Sequence, residues 1–194
     1  YNPLCIHSSV GLGKTHLLHA IGHEVMQSNC RMIYLTADRF MYDFVTALKA
    51  QTALAFKERL RGIDILIIDD VQFFNRAEKS QDALFAIFNH LHQSGKQLIL
   101  TSDKSPKDLE GVQERLLSRF RWGLSADLQM PDYETRIEIL ERKMKKDGLE
   151  MPKEVVKYLA YNINSNVREL EGALICLLAQ SSLNKREIDL DLAK

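Results

Sequence analysis

The sequence predicts an α/β protein, a five-stranded parallel sheet sandwiched by helices and followed by a small helical domain. Over the first 130 residues, five short β-rich segments alternate with helical patterns. Two of those segments are almost uninterruptedly apolar, and beyond Met130-Pro131-Asp132 only helical patterns remain. Each pairing of parallel strands needs a crossover connection, so strand and helix in alternation point to a parallel sheet covered on both faces.

The first strand is Leu4–His7, entered at once from Tyr1-Asn2-Pro3, as expected of a segment taken from a longer chain. A glycine-bearing stretch, residues 8–15, leads from it into a helix over 15–26. Met32–Thr36 forms the second strand. Residues 38–61 then leave room for two helices rather than one crossover. The third strand, Ile65–Asp69, lies in the run Ile63-Asp64-Ile65-Leu66-Ile67-Ile68, and the fourth, residues 97–101, contains Leu98-Ile99-Leu100. Such continuous apolar character belongs to strands buried on both faces. A fifth strand spans 123–129. Past a hinge at Pro131, a helix over 133–146 sets Ile137, Ile139, Leu140 and Met144 among charges, a second follows Pro152, and a third covers 166–183. A polar tail begins at Asn184. The expected division is a core of residues 1–130 and a helical domain of 131–194.

The 26 basic and 26 acidic residues cancel, so any contact with nucleic acid must be local. Cys5, Cys30 and Cys176 are odd in number and scattered. Neither a disulfide framework nor a zinc knuckle is indicated, and a cytoplasmic setting is expected. No apolar run approaches the ~20 residues that span a bilayer.

Two patterns carry chemistry. Ser8-Ser9-Val10-Gly11-Leu12-Gly13-Lys14-Thr15 follows a strand and opens a helix, which is where a phosphate-binding loop must sit. Backbone N–H groups there cradle a triphosphate, Lys14 reaches its outer phosphates and the Thr15 hydroxyl reaches Mg²⁺. Ser8 stands where the usual pattern has glycine, and a serine there is expected to strain or narrow the loop. Some fifty residues on, Ile65-Leu66-Ile67-Ile68-Asp69-Asp70 places two carboxylates at the end of a buried strand. In ATPases of this kind the first acid, Asp69, holds Mg²⁺, and its neighbour, Asp70, orients the attacking water. His16, His19 and His23 share one helical face, but no acidic or cysteine partner follows at ligand spacing.

These blocks, with Leu100-Thr101-Ser102-Asp103, Arg115-Leu116-Leu117-Ser118-Arg119-Phe120, Trp122-Gly123-Leu124 and Asn166-Val167-Arg168-Glu169-Leu170-Glu171-Gly172, run through nearly the entire chain. Together they resemble the AAA+ ATPase domain of the bacterial DnaA replication initiators. The resemblance implies ATP or ADP with Mg²⁺ as cofactor, and a cradle of Gly11, Gly13, Lys14, Thr15 and His16. It implies Asp103 as sensor 1, Arg119 as an arginine finger reaching a neighbouring subunit's ATP, and Arg168 as sensor 2. Residues 38–61 look like the initiator-type insertion that lines a path for single-stranded DNA, with Val45 and, after the acidic strand, Lys79 as its contacts.

The function so implied is a slow, switch-like ATPase that forms head-to-tail oligomers on origin DNA and promotes duplex opening. Partners would be further copies of itself, single-stranded and origin DNA, a replicative helicase and regulatory proteins. The chain carries neither a helix-turn-helix domain for duplex origin sequence nor the upstream segment that covers adenine in the family, so origin specificity is not expected of it alone. A helicase loader or regulatory paralogue would share these motifs but bind a helicase. A non-hydrolysing interaction module would show no ATP affinity.

Overall fold

The computed structural model describes residues 1–193 and divides into two compact units. Unit 1 comprises Tyr1–Ser9 and Lys14–Leu128. The strands are β1 (Leu4–His7), β2 (Met32–Thr36), β3 (Ile65–Asp69), β4 (Gln97–Ser102) and β5 (Leu124–Asp127). They form one parallel sheet in the order β2-β3-β4-β1-β5. Leu66, Ile67, Ile68 and Leu98 are fully buried, as central strands require.

Five helices belong to this unit: α1 (Lys14–Met26), α2 (Ala37–Lys49), α3 (Ala53–Arg61), α4 (Glu78–Gln93) and α5 (Glu114–Phe120), with a 3₁₀ turn at Val71–Phe74. The insertion is indeed two helices. Thr36 starts α2, its hydroxyl accepting from the N–H of Arg39 at 3.2 Å. Phe40 and Phe44 of α2 pack with Phe56 of α3, and Phe40 meets Phe74 edge-on at 5.4 Å. This aromatic group anchors the insertion to the main core. Cys5 is buried with its thiol donating to the Phe120 carbonyl at 3.2 Å, and burial pushes that thiol up to about 12.

Two strands differ from the sequence expectation. β4 runs one residue further, to Ser102, and β5 is shorter than expected, starting at Leu124 and stopping at Asp127. The second difference follows from pairing. β5 is an edge strand whose sole partner is the four-residue β1, from Leu4↔Leu124 to His7↔Asp127, so the ladder ends with β1.

Unit 2 comprises Val10–Gly13 and the chain from Gln129 onward. Lys194, the last residue of the expected helical domain, lies outside the described residues. The three expected helices are α6 (Tyr133–Asp147), α7 (Lys153–Asn162) and α8 (Val167–Asn184). Leu140, Val155, Val156, Leu159, Ala160, Leu170 and Leu174 form their core. The tail expected to be polar forms a further one-turn helix, α9 (Leu190–Ala193), with Ile188, Leu190 and Leu192 packed on that core. No helix among the described residues is long and apolar enough to cross a membrane.

Candidate functional site

Ligands of open parallel sheets bind beyond the carboxyl ends of the strands. At that edge of unit 1, β3, β4 and β1 lie side by side, ending at Asp69, Ser102 and His7.

Asp69 is 2% exposed and serves three hydroxyl groups. Its Oδ2 accepts from Thr15 Oγ1 at 2.8 Å and from the Tyr34 hydroxyl at 2.8 Å, while its Oδ1 accepts from Thr101 Oγ1. Burial, and then the bond to Asp69, push the Tyr34 hydroxyl well above its ordinary value and keep it a neutral donor. The Thr101 oxygen in turn accepts from the N–H of Asp70 at 2.9 Å.

Asp70 lies in the left-handed region, φ 60° and ψ 53°, which turns the chain sharply out of β3 into the 3₁₀ turn. Aspartate is among the residues that tolerate this backbone. Its Oδ1 accepts from Gln72 Nε2 at 3.0 Å, and Gln72 Oε1 accepts from the Asp103 N–H at 3.2 Å. Asp103 Oδ1 is buried and has no hydrogen-bond partner among the described residues. Thr15, Asp69, Asp70 and Asp103 are thus tied into one network through Thr101 and Gln72. The donor set it offers a cation is entirely oxygen, hydroxyl and carboxylate, which suits Mg²⁺.

Lys14 is buried, its Nζ donating to the Ser8 carbonyl at 2.9 Å, Ser8 Oγ at 3.2 Å and the Ser9 carbonyl at 3.1 Å. The strain expected of Ser8 is absent. Its φ is not positive, and its N–H donates to the Ser102 carbonyl at 3.2 Å, carrying the β1–β4 ladder one bond further. At this position the chain uses none of glycine's freedom. Gly11 and Gly13 do use it, with φ +84° and +98°. A Cβ at Gly13 would meet nothing within 4 Å, so the loop there borders open space.

Within unit 2, the Gly11 carbonyl accepts from the N–H groups of Val167 at 3.0 Å and Arg168 at 3.3 Å, at the start of α8. A Cβ on Gly11 would lie 2.7 Å from Asn166 Oδ1. Asn166 caps that helix, accepting from the Glu169 N–H at 2.8 Å, and Arg168 sits exposed in its first turn.

The other expected residues stand apart from this network. His16 is exposed on α1, and His19 instead packs against Tyr34 at 5.4 Å. Val45, 43% exposed, lies on α2, and the exposed Lys79 lies in the first turn of α4. Arg119 lies in the last turn of α5, just before the amino end of β5, and so belongs to the opposite edge of the sheet from Asp69 and Asp103. Its Nε donates to Asn89 Oδ1 at 2.9 Å.

Tyr34, Thr101 and Gln72 have no part in the sequence reading of the site. Thr101 and Gln72 adjoin residues singled out there, whereas Tyr34 becomes visible only through the β2–β3 register, which aligns Thr36 with Asp69.

Comparison with known proteins bears directly on this arrangement. The family model for the bacterial DnaA ATPase domain matches residues 1–127. The chain belongs to the bacterial DnaA ATPase-domain family. The DnaA of Flavobacterium psychrophilum is 54% identical over 196 residues, an alignment covering 100% of this chain and 41% of that protein. The chain therefore spans about two-fifths of that curated DnaA. Domain III of Thermotoga maritima DnaA superposes with a TM-score of 0.93 at 43% identity, covering 100% of this chain and 82% of that one. AMPPCP-bound DnaA from Aquifex aeolicus gives 0.83 at 44% identity, covering 91% of this chain and 55% of that one; a DnaA bound to AMPPCP and single-stranded DNA gives the same values. The Thermotoga maritima branch-migration motor RuvB, at 18% identity and a TM-score of 0.71, shares the AAA+ fold.

Proposed function

We propose that this DnaA-family domain binds ATP or ADP with Mg²⁺, hydrolyses ATP slowly as a switch, and assembles head to tail in its ATP form on origin DNA to promote duplex opening. The observation that carries the reading is the Thr15 hydroxyl joined to the buried Asp69 carboxylate at 2.8 Å, one residue beyond a buried lysine in a glycine-bearing loop. Hydroxyl and carboxylate oxygen side by side suit a hard dication such as Mg²⁺. That its relatives hold AMPPCP supports adenine nucleotide as the ligand.

In this reading Lys14 exchanges its three loop oxygens for phosphate oxygens, while the backbone at Gly11 and Gly13, with His16 beside them, completes the cradle. Thr15 and Asp69 hold Mg²⁺, which neutralises charge on the phosphates when bound. Asp70 orients the attacking water, Asp103 senses the nucleotide, and Arg168 answers to the γ-phosphate from a lid formed by the helical domain. Arg119, at the other edge of the sheet, serves a neighbouring copy's ATP, so that each contact depends on the γ-phosphate and repeats head to tail. The α2–α3 insertion, through Val45, and Lys79 on α4 touch single-stranded DNA. The setting is the cytoplasm, with a replicative helicase and regulatory proteins as further partners.

Titration with a fluorescent ATP analogue tests the core of the reading. Saturable, Mg²⁺-dependent binding is expected in the wild type and none in Lys14→Ala; equal signal from the two proteins rejects it.

A further inference from the structure

Arg119 sits in a continuous stack of rings and cations between α4 and the end of α5. Its guanidinium carbon lies 4.7 Å from the centre of the Trp122 ring and 5.8 Å from that of Phe85. Trp122 stacks on His92 at 4.6 Å and 23°, and His92 on Phe88 at 6.1 Å and 10°. Phe88 is fully buried, so the stack is rooted in the core. On the other side, Arg115 lies 4.8 Å from the Phe85 ring and pairs with Asp82.

A guanidinium has five N–H donors in a rigid plane. In Arg119 the Nε–H is engaged by Asn89, the plane is flanked by two aromatic rings, and neither terminal nitrogen has a partner among the described residues. Among the described residues no carboxylate pairs with this cation. An arginine needed only for stability would be expected to spend its terminal nitrogens on a carboxylate or carbonyl, as Arg136 does on the Pro131 carbonyl at 2.7 Å. Arg119 is instead oriented by weak, non-neutralising contacts that leave the charged fork for an outside anion. Fixing it beforehand removes the cost of ordering a long side chain when that anion arrives.

We infer that Asn89, Trp122 and Phe85 are positioning residues that preset the Arg119 guanidinium for a phosphate on a neighbouring copy. This rests on the reading of Arg119 as a finger acting in trans, and the experiment separates the two. Trp122 is the single tryptophan of the chain and 58% exposed, so its emission reports on this stack alone.

Sedimentation of the 194-residue chain with an oligothymidine and AMPPCP, against ADP, measures assembly, and tryptophan emission is read on the same samples. Wild type should assemble and change its emission with AMPPCP but not with ADP. Arg119→Ala should shift the resting emission and lose both responses. Asn89→Leu should weaken assembly roughly tenfold and Trp122→Leu roughly three- to tenfold, with fluorescent ADP binding unchanged in each. Trp122→Phe, which keeps a ring, should restore assembly to near wild type, whereas Asn89→Asp, whose carboxylate would neutralise the guanidinium from within, should not. If the Leu variants assemble as wild type while Arg119→Ala does not, the positioning role is wrong and the finger stands. If Arg119→Ala assembles normally, or the wild type does not assemble with AMPPCP, the finger reading fails and takes this one with it. Should Asn89→Leu lose ADP binding through misfolding, Asn89→Gln decides: it moves the acceptor by one methylene, and unchanged assembly in it overturns the proposal.

Discussion

Gln72 shows how one uncharged side chain can govern two acidic residues. Its amide donates to the Asp70 carboxylate and accepts from the Asp103 backbone, so it fixes the direction of the one and the loop position of the other. Asp70 already occupies a left-handed backbone well and has few other means of holding its side chain still. In Gln72→Leu the carboxylate loses its donor while the phosphate loop is untouched. The expected outcome is single-turnover ATP hydrolysis slowed by roughly tenfold or more, with ADP affinity unchanged. A parallel fall in affinity would place Gln72 in binding rather than in hydrolysis. Ser8 makes a contrasting point. Its residue type suggested a strained loop, yet its φ is not positive, its N–H bonds to the Ser102 carbonyl and its hydroxyl accepts from Lys14. Whether glycine is needed at a loop position depends on φ, and φ is invisible in the residue name.

At the scale of elements, the cap of α8 rests on one side chain. Asn166→Ala removes the acceptor of the Glu169 N–H and should cost about 1 kcal/mol of stability, read as a lower midpoint in urea denaturation. The edge where β3 and β4 begin depends on pH instead. The Lys96 ammonium bonded to Asp64 at 2.6 Å, followed by the Arg31 N–H, holds that carboxyl down at about 2. A depressed carboxyl stabilises the fold above its ordinary value of 3.8 and ceases to do so as pH falls through about 2. The difference in melting temperature between wild type and Lys96→Met should therefore be steady above about pH 5 and vanish near pH 2. Much at this scale was legible in the residues. β3 and β4 declared themselves by nearly unbroken apolar runs, and α6 by the spacing of Ile137, Leu140 and Met144 among charges. α9 did not, because one turn is too short to display a helical period and its Leu190 and Leu192 pass for a strand-like alternation. The end of β5 was equally hidden, being set by the length of β1 and not by its own residues. Of the site, Lys14, Thr15, Asp69 and Asp70 could be read from spacing, whereas Tyr34 needed the sheet register.

For the whole molecule, a net charge of zero means that no general attraction to polyanions supports DNA binding. If the proposed contact with single strands holds, it comes from a few placed cations, and the salt dependence should be correspondingly shallow. Replacing Lys79 with alanine should reduce the slope of log K against log salt by roughly 0.7, the loss of one phosphate contact. Fluorescence anisotropy of a labelled oligothymidine at several salt concentrations measures it, and an unaltered slope removes Lys79 from the DNA path. The three cysteines have a practical side. The Cys5 thiol, buried and raised to about 12, will not form the thiolate that maleimides attack, while Cys30 and Cys176 are both exposed. Cys30 lies in unit 1 and Cys176 in unit 2. The unaltered sequence is therefore already prepared for a donor and an acceptor dye, one on each unit, and energy transfer between them can follow the two bodies through nucleotide exchange without any engineered residue.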